Sequence, residues 1–312
     1  MLVKTDIPKL LTAGMRKEFM KEFEKAPAEW EKIAIKIKST KSEEDYAWIG
    51  GVPGLHEWRD ERIPEALLEH NYAIKNLDWE GSIAVSKNAI DDEQYNQINL
   101  KVKQLANRAK RFWGKMVFRL LSQGNLSTGT ATVFNGKNIT CYDGNPFFYG
   151  SHEEGESGSQ SNKGTVAFSL DAMQTAMEAM MALKDDKGEE LEVRPNLLVV
   201  NPKNMFLARE ILNSTYFPTQ TATTTFKLAS NVMKGIVDLY VSPFVDADDW
   251  FLFDTTGIIK PVILQVRKDI DFQSLLTGPE AFMRKKLYFG VDWRGMVGWG
   301  LWQYAYGSSS TW

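Results

Sequence analysis

One feature limits the fold of this chain more than any other: an extended, Trp- and Gly-rich stretch that runs straight into a very long helix. The stretch DYAWIGGVPGLHEWRDERIPEALLEHNYAIKNLDWEGSIAVSKNAI covers 45–90, and DDEQYNQINLKVKQLANRAKRFWGKMVFRLLSQG follows over 91–124. A long β-type excursion has too little apolar surface to fold back and cover itself, and two strands alone are marginal in water. Its aromatic side chains need a partner, and another copy of the chain is the expected one. That points to assembly rather than catalysis.

The helix after the stretch is written in its period. Tyr95, Ile98, Val102, Leu105, Ala109, Phe112, Met116 and Leu120 form one stripe at three- and four-residue steps. Asp91 with Gln94 reads as a capping box and Gly124 as the C-terminal stop. At ~1.5 Å per residue such a helix is ~50 Å long. Acids at its start (Asp91, Asp92, Glu93) and bases further along complement the macrodipole. Lys103, Lys110 and Arg111 are candidates for weak, non-specific contact with a polyanion, against the plainer reading of a solvated charged face.

Elsewhere the periodicity is shorter. Leu10, Leu11, Met15, Phe19, Met20 and Phe23 predict an amphipathic helix over Ile7–Lys25, and Ile33, Ile35 and Ile37 a short strand. Tyr46/Trp48, Tyr72/Ile74, Leu77/Trp79 and Ile83/Val85 alternate, so 41–90 reads as a two-stranded arm with a charged, Gly/Pro-punctuated tip. Trp58 stands at that tip beside Arg59, Asp60, Glu61 and Arg62, and with Trp48 it is the candidate inter-subunit contact. The stretch 128–163 is Gly-, Ser- and Asn-rich, and SHEEGESGSQSNKG (151–164) predicts a mobile loop. Ser169 predicts the cap of a Met-lined helix (Met173, Met177, Met180, Met181) ending at 185–188. LLVVN at 197–201 predicts a buried strand leading into a helix with Asn201 as N-cap and Pro202 at its first position. A Thr-rich loop is expected at 219–225, then strands at 235–242, 250–254 and 258–267. The C-terminal run KKLYFGVDWRGMVGWGLWQYAYG reads as a strand buried on both faces. The fold class is mixed α/β (α+β).

Composition removes several function classes. The net charge of −3 matches neither a strongly basic nucleic-acid binder nor an acidic tail protein, and residues 1–38 carry only a mild excess of +3. No run approaches ~18 uninterrupted apolar residues, so no transmembrane helix is predicted. The charged N-terminus is unlike a signal peptide, and the chain reads as soluble and intracellular when made. Cys141 is the single cysteine, excluding an intrachain disulfide, and reads as a semi-buried thiol. The three histidines, His56, His70 and His152, have no metal-site spacing. His152 with Glu153, Glu154 and Glu156 reads as a solvated acidic turn rather than an ion site, and Asp246, Asp248 and Asp249 as the end of a strand. No phosphate-binding Gly loop, nucleophile elbow or zinc-protease motif is present. Catalytic, metal and cofactor residues are therefore expected to be none. The ten tryptophans, spread from Trp30 to Trp312, favour core and subunit contact over a sugar platform.

Four segments carry a resemblance over nearly the whole chain: DYAWIGGVPGLHEWRDERI, HNYAIKNLDWEGSIAVSKNAIDDEQ, CYDGNPFF and LLVVNPKNMFLAREIL. In that order and spacing they resemble the Mu-like major head subunits, the major capsid proteins of tailed phages. The resemblance implies the Hong Kong 97-type capsid fold: an N-terminal arm (1–38), an extended loop (39–90), a peripheral domain with a spine helix (91–165), an axial domain (166–270) and a return to the peripheral domain (271–312). It implies hexamers and pentamers in an icosahedral shell holding double-stranded DNA. A virion protein assembled in the host cytoplasm follows, with portal and decoration partners and no membrane. The chain begins near the arm, which leaves no room for a large fused scaffold, so a separate scaffold or protease is expected. Some members of the fold cross-link through an extended-loop lysine; here no Lys occurs between Lys41 and Lys75. The alternatives are an encapsulin-like nanocompartment and, from another class, a carbohydrate-active hydrolase. The last would need a paired acid site, and nothing in the sequence places two carboxylates together.

Overall fold

The computed structural model describes residues 7–25, 28–46, 72–88, 95–126, 132–133, 137–138, 141–222, 225–277 and 279–312. Two sheets organise them. The first is four-stranded and uses β1 (Ala34–Lys38), β2 (Leu77–Ser86), β6 (Val262–Leu275) and β7 (Lys286–Trp299) in the order β1-β6-β7-β2. The second is built from β3 (Leu197–Val200), β4 (Asp238–Val241), β5 (Asp249–Phe253) and β8 (Ala305–Ser309), in the order β4-β3-β5-β8, and the two-residue strand Lys163–Gly164 closes the β8 edge. Each sheet is mixed: β1 runs parallel to β6 and β3 parallel to β4, while β6–β7, β7–β2, β3–β5 and β5–β8 are antiparallel.

Helix α1 (Ile7–Lys25) lies along α2 (Tyr95–Leu121), and together they cover one face of the first sheet. The predicted stripes explain the packing. Met15 and Phe19 of α1 meet Ile98, Val102, Leu105, Ala106 and Ala109 of α2 over Phe272, Phe289 and Val291. The C-terminal half of α2 turns Trp113, Met116, Val117, Leu120 and Leu121 into a second, larger core shared by both sheets. A third core lies beyond the second sheet, under α3 (Leu170–Met181) and α4 (Met205–Asn213). The period-2 geometry of strands divides the second sheet between the last two cores. Leu197, Val199, Phe251 and Phe253 face the central core, whereas Leu198, Val200, Trp250 and Leu252 face the helices.

Local signals place several elements as expected. Ser169 Oγ accepts the Ala172 N–H at 3.1 Å and caps α3. Asn201 accepts the Lys203 N–H, and Pro202 opens a 3₁₀ turn that leads into α4. Other expectations are corrected. The returning strand of the arm finds a partner within its own chain rather than in another copy: after a short pairing of Glu43–Asp45 with Ala73–Lys75, β2 joins the first sheet along β7, with Trp79 opposite Trp293. The Thr-rich loop is a hairpin, Tyr216–Ala222 against Thr225–Ser230. The C-terminal run is two strands in different sheets. β7 alternates in burial along its first half, the chain leaves the first sheet at Trp299, turns through Trp302–Tyr304, and enters the second at Ala305. Gly124 follows α2 for a packing reason, since a Cβ there would stand 2.6 Å from a ring carbon of buried Phe148. The proposed capping box at Asp91 and Gln94 lies outside the described residues.

Candidate functional site

A groove of about 510 Å³ lies between β2 and α2. Its floor is aromatic: Trp79 lies 5.1 Å from Phe112 and 5.9 Å from Trp293, ring centre to ring centre. The Trp79 indole is fixed by donating to the Gly295 carbonyl at 2.9 Å. Leu105, Ala109 and Val291 complete the floor, and Lys101, Arg108 and Glu80 stand at the rim. The groove therefore offers apolar area with a mainly cationic border.

Helix α2 carries seven Lys or Arg side chains and no acid over Tyr95–Leu121. The three residues singled out from sequence meet different fates. Lys103 pairs with Glu18 of α1 at 3.0 Å, and that hydrogen bond and charge hold the Glu18 carboxyl below its usual range. Lys110 places its Nζ 4.9 Å from the centre of the Phe23 ring, a cation–π contact, again on α1. Arg111 is exposed, as are Lys101, Arg108 and Arg119, and among the described residues none of these four forms an ion pair. The α1 helix thus covers one flank of the basic helix and leaves another open.

Large apolar side chains stand exposed at several places remote in sequence. Phe206 and Leu207 open α4, and Val232 and Ile236 lie in the turn after the hairpin. Ile258 (92% exposed) sits before β6, and Phe282 (84%) and Met283 between β6 and β7. None of these side chains belongs to the three cores. Trp48, Trp58, Arg59, Asp60, Glu61 and Arg62, the expected arm contacts, lie outside the described residues.

Among the described residues, several with chemical potential are buried or paired. The Cys141 thiol is buried and burial pushes it up, the reverse of what a nucleophile needs. Asp248 pairs with Lys203 at 2.6 Å, and Asp249 is buried at the start of β5, where burial raises its carboxyl. Among the described residues no group of three or more His, Cys, Asp or Glu could hold a metal ion, and no helix is long and apolar enough to cross a membrane. The turn around His152 is neither solvated nor a loose loop. His152–Glu154 pairs with Gly158–Gln160, and His152 itself is fully buried against Asp143. Its Gly/Ser-rich composition concealed polar partners more than a hundred residues away.

The arrangement is that of phage capsid proteins. Among solved structures the procapsid of bacteriophage JBD30 matches with a TM-score of 0.59 at 22% identity, over 99% of this chain and 76% of that one. The JBD30 capsid matches at 0.55 and 18% identity, over 79% of this chain and all of that one. The Hong Kong 97-type fold implied by the sequence is thereby the observed one. The profile of the family described as "Mu-like prophage major head subunit gpT" matches residues 9–169, 163–245 and 246–312, and the chain belongs to that family. It is 25% identical over 306 residues to the Mu-like prophage FluMu major head subunit of Haemophilus influenzae, covering 97% of this chain and 73% of that protein. It is 28% identical over 152 residues to the major capsid protein of Escherichia phage Mu, covering 49% of this chain and 46% of that one. The function is that of a phage major head subunit, and the family favours it over the encapsulin-like compartment.

Proposed function

We propose that copies of this head subunit close, as hexamers and pentamers, into an icosahedral shell around packaged double-stranded DNA, and that the chain contributes no catalytic step. The observation that supports this best is the set of exposed apolar side chains that stand outside the three cores. Patches of that kind mark protein–protein contact. In this reading the first sheet with α2 is the peripheral part, the second sheet with α3 and α4 the axial part, and 1–38 and 39–90 the arm and extended loop. The tip residues Trp58 and Arg59–Arg62, together with Trp48, reach a neighbouring copy.

The open basic flank of α2 faces the genome, with Arg111 as the member of the original trio still free to meet phosphate and Lys103 and Lys110 as secondary contributors. Scaffold or protease, portal and decoration partners are supplied by separate chains, and assembly takes place in the host cytoplasm. Because 42–74 contains no lysine, the shell is held without an isopeptide bond from the loop. The double change Trp58→Ala with Arg59→Ala tests the arm. A folded, soluble subunit that assembles poorly is expected, and a normal yield of particles would contradict the assignment.

A further inference from the structure

The chain enters and leaves 47–71 through two short strands, Glu43–Asp45 and Ala73–Lys75, and one buried polar side chain ties both to the first sheet. Gln265 stands in the middle of the run Val262–Val266 of β6, where every other residue is apolar and buried. Its cross-strand partner on β7 is Met296, as Gly298 is that of Ile263, so these four residues share one face of the sheet. A Cβ on Gly298 would collide with the Ile74 side chain, which therefore rests directly on that face.

Both N–H groups and the oxygen of the Gln265 amide are engaged. Its Oε1 accepts from the Tyr46 hydroxyl at 2.8 Å, and its Nε2 donates to the Ile74 carbonyl at 3.0 Å and to Asn76 Oδ1 at 2.8 Å. Asn76, also buried, extends the connection: its Nδ2 donates to Ser39 Oγ at 2.8 Å and to the Lys41 carbonyl at 2.9 Å. The Ser39 N–H donates in turn to the Val266 carbonyl at 2.9 Å, which closes the circuit on β6. Turning the Gln265 amide over would set its oxygen against the Ile74 carbonyl, and turning Asn76 over would do the same at Lys41, so one arrangement fits. The two strands are also bound to each other and to β7. The Tyr46 N–H donates to the Tyr72 carbonyl at 2.7 Å, and the Tyr72 hydroxyl accepts the Trp299 N–H at 2.7 Å.

Burial alone does not call for an amide at 265. An apolar side chain would hold the two strands by non-directional contact and leave them free to tilt on the sheet. A fully satisfied polar network admits a single geometry. We propose that Gln265 is a positioning residue for assembly: through Tyr46, Ile74 and Asn76 it fixes the direction in which the extended loop leaves the first sheet, and with it the uniformity with which copies fit together. The inference rests on the reading of 39–90 as the loop that reaches a neighbouring copy.

Hydrogen exchange and electron microscopy of the full chain test it together. Gln265→Met keeps the length of the side chain and removes all three hydrogen bonds. In dissociated subunits it should raise exchange of the Tyr46 and 72–76 amides by about tenfold or more, with 95–121 changing by less than about twofold. Under assembling conditions it should give open or misshapen particles in place of uniform shells. Met116→Ala, a cavity elsewhere in the central core, is the control. It should lower the amount of folded subunit yet give uniform shells from what folds. If Gln265→Met fails to fold, Tyr46→Phe, which removes one of the bonds, carries the same two readouts, with a local rise of about threefold. Exchange that rises equally throughout the subunit, uniform shells from the variant that folds, or the same misshapen particles from Met116→Ala overturns the proposal. Failure of the underlying reading looks different, since Trp58→Ala with Arg59→Ala would then assemble normally.

Discussion

Helix α2 and the segment 141–162 are both necessary to the same central core, yet they are held there by opposite means. The helix is fixed by a stripe of Trp113, Met116, Val117, Leu120 and Leu121 that any helical wheel brings to one side. The segment contributes Phe147 and Phe148 to that core, but its path is set by His152, Asn162 and Asp143, whose partners are backbone carbonyls, a carboxylate and an indole face. Apolar burial is non-directional and tolerates adjustment, whereas each buried polar atom must find its particular partner or carry the cost of desolvation. One region is robust and the other specific.

That contrast can be broken by mutation. The largest effect is expected from Met116→Ala, which leaves a void in a fully buried site and should destabilise the subunit by about 2–5 kcal/mol. Denaturant unfolding of the subunit would measure it, and a loss below about 1 kcal/mol would mean that the core collapses onto the gap. Asn162→Ala is smaller in volume yet strips a shared donor from the Phe147 and Trp302 carbonyls. About 1–3 kcal/mol is expected, with hydrogen exchange rising around Phe147 and Trp302 rather than along α2. A uniform rise would contradict a local, specific role. The smallest effect belongs to Lys103 and Glu18, whose side chains are partly exposed. A double-mutant cycle on that pair should return only a small coupling that shrinks with salt. A larger, salt-insensitive coupling would show that α1 is held on α2 by charge instead of by Met15 and Phe19.

The same contrast explains what could be read from the sequence. Elements whose cause is local were legible: the full span of α1, the Ser169 cap, the Asn201–Pro202 turn, and the α2 stripe with Val102 and Met116 at its buried centre. Elements whose cause lies far along the chain were not. The hairpin at 216–230 looked like a loop because Thr and Gln carry no apolar alternation, although β-branched Thr suits a strand. The switch of sheets after Trp299 is invisible in a run that stays apolar throughout. Gly124 was recognised as special for the wrong reason, since Phe148 is its cause. At the candidate site the charge of α2 was legible, but α1 takes up Lys103 and Lys110, and amphipathic period alone cannot say which helix flank a neighbour will cover. Lys101 and Arg108 were legible as bases of the long helix but not as the border of an aromatic groove, because the groove exists only once β2 and α2 are side by side.

The central claim is that this chain is built to be covered by copies of itself. Electron microscopy of the purified full-length protein, imaged across a range of concentrations, tests it most directly. Closed shells of uniform curvature, or discrete five- and six-membered rings that give rise to them, are the predicted result. A population that remains monomeric at every concentration, with the apolar side chains at Phe206, Ile258 and Phe282 left in water, would contradict the account.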